Sequence, residues 1–206
     1  MTYFDERARD WDSDLAKVER ARVVANAIRS KVPLKSGMTA LEYGCGTGLL
    51  SFFLQMEFAS ILLADTSQGM LDVLSTKIET AGLHHLHPIQ LDLTDQPLPS
   101  ARVDIIYSLM TMHHIPETET VLRHFYTLLN PGGFLCIADL EQEDGSFHGA
   151  ANQDVHKGFN RSIFQIQIEQ AGFKDVHFSA GFNIIKIVGG HEKSFPVFVM
   201  TAMKKV

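Results

Sequence analysis

Apolar residues recur at three- and four-residue spacing from Ser13 to Ser30. Leu15, Val18, Ala21, Val24, Ala25 and Ile28 share one face, which predicts a helix. After Pro33 and Gly37 the pattern changes to a short apolar run, Thr39 to Tyr43, that reads as a buried strand. Gly48 to Glu57 predicts a helix, and Ser60 to Ala64 a second strand ending at Asp65. Ser67 is placed to cap the next helix, in which Met70, Leu71, Leu74 and Ile78 share a face before Gly82 stops it. Leu86 to Leu91 predicts a third strand and Val103 to Tyr107 a fourth. Thr118 to Leu129 predicts a helix ended by Asn130-Pro131-Gly132-Gly133, and Phe134 to Ala138 a fifth strand.

Strand and helix alternate through short connections, which calls for an α/β fold with a parallel sheet covered on both faces. The last third changes character. Residues 140–158 are polar and glycine-containing, Arg161 to Ala171 is helical, and two strands follow near Val176 to Ile187 and Phe195 to Met203. The short Gly189-Gly190 link suits an antiparallel pair. No repeat or linker divides the pattern, so residues 1–206 are expected to form one domain. Residues 1–30 are its helical cap, and 140–160 are placed as a lid on the acceptor side.

Composition narrows the function classes. With 45% hydrophobic and 20% charged residues, the chain reads as globular. No apolar run approaches the roughly 18 to 20 residues of a membrane span, and the charged N-terminus does not read as a secretory signal. Net charge is −6 and basic residues nowhere cluster, which argues against nucleic acid as a partner. Cys45 and Cys136 are too few and too scattered for a disulfide framework or a zinc site, so a reducing, cytoplasmic setting is expected.

The segment Leu41-Glu42-Tyr43-Gly44-Cys45-Gly46-Thr47-Gly48 joins the first strand to its helix. Alternate glycines let the backbone turn tightly and approach a ligand. In an open α/β sheet this turn lies at the carboxyl ends of the strands, where ligands bind. Asp65 ends the second strand, placed to accept from both ribose hydroxyls, and Asp92 ends the third, facing the same crevice near an adenine amino group. A glycine turn alone often holds nothing; two acids in register with it point to a nucleoside-bearing ligand. The dinucleotide fingerprint G-x-G-x-x-G is not met, because the sixth position counted from Gly44 is Leu49 and glycine falls at Gly48.

These residues resemble the class I, Rossmann-like S-adenosylmethionine-dependent methyltransferase family. Glu42 to Gly48 is similar to its first motif, (D/E)-x-G-x-G-x-G. Asp65 is similar to its second-strand acid, Leu91-Asp92 to its adenine-side acid, and Ile105 to His114 to its fourth strand and following loop. The resemblance covers residues 39–140 and implies a doubly wound, seven-stranded, mostly parallel sheet whose last strand is antiparallel. It implies S-adenosyl-L-methionine as cofactor and S-adenosyl-L-homocysteine as product. Gly44, Cys45, Gly46 and Gly48 would then lie along the methionine and ribose portions, and Glu42 would hold the amino group. Asp65 would bind the ribose, Thr66 and Met70 would border the adenine, Asp92 and Leu93 would meet its amino group and ring, and Ser108 would face the methionine end. The Phe4-Asp5 and Trp11-Asp12 pairs resemble the start of small-molecule methyltransferases, where such residues fold over the cofactor.

Methyl transfer from a sulfonium is a direct displacement, so alignment and water exclusion matter more than a base. His113 and His114 follow the fourth strand on the ligand side. His113 is the candidate catalytic residue, as base or acceptor contact; the alternative for both histidines is packing or capping. Asp139, ending the fifth strand, faces the acceptor or caps a turn. Phe147, His148, His156 and Phe159 lie in the stretch read as a lid or a solvated connector. His84, His85 and His87 are expected to be solvated, and no histidine spacing specifies a metal site. A small-molecule acceptor methylated on oxygen or nitrogen is the leading reading. Protein methylation, a non-catalytic binding module and an NAD-dependent oxidoreductase are the others.

Overall fold

The computed structural model describes residues 3–148 and 155–206. A short helix α1 (Tyr3–Arg7) and a 3-10 turn (Ala8–Ser13) lead into α2 (Leu15–Lys31). The predicted helix starts two residues late because Asp14 caps it, its carboxylate accepting from the Ala16 N–H at 3.0 Å. Ala21, Val24, Ala25 and Ile28 form the buried face, whereas Leu15, in the first turn, is exposed.

Alternation of strand and helix then runs as the pattern requires: β1 (Thr39–Tyr43), α3 (Leu49–Leu54), β2 (Ser60–Asp65), α4 (Gln68–Ala81), β3 (Leu86–Gln90), β4 (Val103–Leu109), α5 (Thr118–Leu128) and β5 (Leu129–Leu140). Ser67 caps α4 by accepting from the Met70 N–H, and Gly82 ends it in the left-handed conformation. Helix α6 (Arg161–Gln170) and the long strands β6 (Lys174–Val188) and β7 (His191–Met203) complete the fold.

The sheet has the order β3-β2-β1-β4-β5-β7-β6. Neighbours from β3 to β5 are parallel, and β7 runs antiparallel to both β5 and β6. Successive residues alternate between two cores, as a strand buried on both faces demands. Ala40, Ile105, Ala138 and Val199 pack with α2, α3 and α4, while Leu41, Ile106, Ile137 and Phe198 pack with α5 and α6.

Strand β5 begins earlier than the pattern predicts. Val103 pairs with Leu129 and Ile105 with Phe134, so Asn130 to Gly133 bulge from the ladder, and Gly132 and Gly133 exchange backbone hydrogen bonds with Lys204. The sheet order reverses between β1 and β4, which opens a crevice at their carboxyl ends. Among the described residues, no helix is long and apolar enough to cross a membrane.

Candidate active site

The glycine turn after β1 opens onto a cavity of about 780 Å3 at the carboxyl ends of β1, β2 and β4. Gly44 and Gly46 line it, with φ of 71° and 53°, in the region that disfavours a side chain. A Cβ on Gly46 would meet nothing closer than the Met70 sulfur at 3.9 Å and the Trp11 indole nitrogen at 4.0 Å. That space is open for a ligand.

Asp65 fixes this turn. One carboxylate oxygen accepts from the Gly46 N–H at 2.7 Å, the other from the Ser67 N–H at 2.9 Å, and burial raises its pKa against those bonds. Asp92 also lines the cavity, held by the Thr94 N–H at 2.8 Å and its hydroxyl at 2.6 Å. Glu42, almost wholly buried, points into the same space. It accepts from the Ser51 N–H at 3.2 Å and from the Ser51 hydroxyl, and burial raises its pKa to about 8. With no cation bonded to it among the described residues, Glu42 suits a ligand ammonium. Cys45, Thr66 and Met70 border the cavity too.

The N-terminal segment closes over this end. Asp5 accepts from the Ser67 hydroxyl at 2.6 Å and the Gly69 N–H at 3.0 Å. Asp12 accepts from the Thr47 hydroxyl and pairs with Lys77 at 2.5 Å. These two anchors bring Tyr3, Phe4, Arg7 and Trp11 to the cavity wall.

Beyond β4 the cavity reaches His113, His114, Phe147 and His148. His113 is 1% exposed; its Nδ1 lies 2.5 Å from an Asp139 carboxylate oxygen, at the end of β5. Nδ1 is engaged by that carboxylate, and Nε2, on the other side of the ring, has no protein partner among the described residues. The three imidazoles lie close together at tilted and edge-on angles, with ring centroids 4.1 Å apart for His113 and His114 and 5.0 Å for each pair involving His148. Burial, reinforced by the neighbouring rings, lowers His114 to about 3; burial, His113 and Lys186 lower His148 to about 4.

Residues 40–133 match the methyltransferase-domain family. These residues, a little under half of the chain, are similar to a methyltransferase domain, and the fold is that of class I methyltransferases. An uncharacterized methyltransferase of Schizosaccharomyces pombe is 36% identical over 128 residues, covering 58% of this chain and 45% of that protein. The ubiquinone biosynthesis O-methyltransferase of Coxiella burnetii is 28% identical over 147 residues, covering 69% and 62%. The chain therefore spans about half to three-fifths of these relatives' lengths. The structure of Haemonchus contortus phosphoethanolamine N-methyltransferase 2 in complex with S-adenosyl-L-methionine shares the fold, with a TM-score of 0.74 and 14% identity. It covers all of this chain and 61% of its own.

Within the matched residues 40–133, three residues singled out from the sequence stand behind the cavity wall instead of on it. Gly48 packs on α4, where a Cβ would lie 2.6 Å from Leu74. Leu93 is buried and its N–H donates to the Tyr43 hydroxyl at 3.1 Å. Ser108 is buried and donates to the Tyr43 carbonyl at 2.8 Å. His156 is also away from the cavity lining; its ring lies 2.9 Å from the Ile115 carbonyl and its N–H donates to the His113 carbonyl. Arg20, Ile184 and Lys186 line the cavity without having been anticipated. Arg20 stands on α2, and alternation in β6 carries no signal for Ile184 and Lys186, because β6 is an edge strand whose ligand-side residues look like surface.

Proposed function

We propose that the chain transfers a methyl group from S-adenosyl-L-methionine to a small molecule, on oxygen or nitrogen. One observation carries this reading: Glu42, the Gly44–Thr47 turn, Asp65 and Asp92 line a single cavity that continues to His113. The residues present fit that cofactor. The open side of Gly46 admits its methionine chain, Glu42 takes its ammonium, Asp65 its ribose hydroxyls, and Asp92 its adenine amino group, with Cys45, Thr66 and Met70 as borders. Gly48, Leu93 and Ser108 support these residues from behind. The cofactor supplies an electrophilic methyl on a sulfonium.

The chain's own residues align the acceptor and exclude water. Phe4, Trp11 and Phe147 wall the cavity, and His113 Nε2 faces the acceptor end as the hydrogen-bond acceptor that orients its nucleophile. Arg20 lines the same end and forms no hydrogen bond or ion pair among the described residues, which suits an acceptor that is polar and tolerates acidic groups. The named activity of the Coxiella relative supports an oxygen acceptor. Free, buried Cys45 and Cys136 support a reducing compartment, and we place the protein in the cytoplasm. Residues 1–30 act as a cap. The lid assigned to 140–160 falls partly on 149–154, outside the described residues.

Transfer of label from methyl-labelled cofactor into a metabolite extract and into the matched protein fraction tests the acceptor class. Label is expected in the small-molecule fraction and lost on His113→Ala. Label confined to protein would favour a peptide acceptor.

A further inference from the structure

His113, His114 and His148 come from two loops, the first two after β4 and the third after β5. Their ligating nitrogens all lie within 4.8 Å of one another. The buried Nε2 atoms of His113 and His148 have no protein partner among the described residues. Asp139, completely buried, holds His113 Nδ1 and also accepts from the His113 and Leu140 N–H groups. A carboxylate on the far nitrogen is the arrangement that fixes a metal-bound imidazole and raises its basicity.

We propose that His113, His114 and His148 form a site for a divalent transition-metal ion, zinc or its chemical neighbours, with an open coordination position facing the cavity. Three neutral imidazoles are a donor set for zinc, cobalt, nickel or copper, and a poor one for magnesium or calcium. Three protein ligands with a fourth position open to substrate is the arrangement of catalytic zinc. Zn–N bonds of about 2.0–2.1 Å place ligand nitrogens roughly 3.3 Å apart in a tetrahedron. The trio therefore contracts on the ion by ring rotation, mostly of His148, which stands on the turn at 145–148. Among the described residues, the charged groups facing the trio are Asp139, which favours a cation, and Lys186 beside His148, whose ammonium donates to the Phe147 carbonyl at 2.8 Å and sits over the Phe147 ring. With metal bound, His113 acts as a ligand, and the acceptor's oxygen or nitrogen meets the open position instead of Nε2.

The test needs neither cofactor nor acceptor, so it stands apart from the methyl-transfer reading. The chelator-stripped chain is titrated with Zn2+ against a chromophoric competitor, and separately with Co2+ while visible absorption is followed. One ion per chain is expected, with the intense cobalt bands of a four-coordinate site. His148→Ala should weaken Zn2+ binding at least tenfold and abolish those bands, and Asp139→Asn should weaken it by about 10- to 100-fold. His84→Ala with His87→Ala should change nothing. Absence of stoichiometric binding overturns the proposal. So does binding that survives His148→Ala or disappears with the His84 and His87 pair; circular dichroism of each variant separates loss of site from loss of fold.

Discussion

The Asp65 carboxylate accepts the Gly46 N–H at 2.7 Å, tying the end of the second strand to the middle of the glycine turn. The turn is thereby held in ligand-ready shape by the same group assigned to the ribose. Asp65→Ala should weaken cofactor binding by about 1.5–3 kcal/mol, the range for hydrogen bonds to a charged group, or roughly 10- to 150-fold in Kd. Titration calorimetry reads the change, and an unchanged Kd would remove Asp65 from the site.

Glu42 makes binding pH-dependent. Burial raises it to about 8, so at pH 7 the free protein keeps its carboxyl protonated. A ligand ammonium favours the carboxylate, so cofactor binding should expel a proton and tighten as pH rises from 6 to 8. Calorimetry in buffers of different ionisation enthalpy measures that proton, and Glu42→Gln should abolish it. The same shift sets a stability trend. The folded pKa lies above the unfolded one, so the contribution is complete below about 4.5 and is lost as pH rises through about 8. Relative to Glu42→Gln, the parent should therefore melt progressively lower across that window.

The turn glycines should separate by phenotype. A Cβ at Gly44 would lie 2.2 Å from Thr111 and one at Gly48 2.6 Å from Leu74, while Gly46 faces open space. All three carry positive φ, which costs alanine about 1–2 kcal/mol. Gly44→Ala and Gly48→Ala should lower Tm further than Gly46→Ala, and Gly46→Ala should lose more cofactor affinity than Tm. Equal Tm losses at the three positions would contradict the assigned surroundings.

The stretch after β5 is anchored on both sides of the acceptor end. Phe147 and Phe159 are buried, the Gln142 N–H donates to the Phe159 carbonyl at 3.0 Å, and the Phe159 N–H donates to the Leu140 carbonyl at 2.9 Å. Hydrogen exchange should find the Phe159 amide protected in the free protein. Protection at 145–148 should rise only when cofactor and acceptor are both present, as closure requires. Full protection there without ligand would make the segment a fixed wall.

Much of this was legible because short-range rules suffice. Ser67 and Gly82 bound α4 through cap chemistry, and Asp65 and Asp92 are found by counting to strand ends. The acceptor side was less legible. His113 meets Asp139 and His148 only because β4 and β5 are neighbours, and 34 residues separate His113 from His148. Neither imidazole spacing nor periodicity encodes that meeting. The backing roles of Gly48, Leu93 and Ser108 likewise depend on which side of the backbone each faces, here set by contacts with Leu74 and Tyr43.

Calorimetric titration of the purified chain with S-adenosylhomocysteine and, separately, with NAD tests the cofactor assignment most directly. One-to-one binding of the adenosyl ligand with no response to NAD is predicted from the glycine at 48 and the acids at 65 and 92. Binding of NAD with no response to S-adenosylhomocysteine would contradict it.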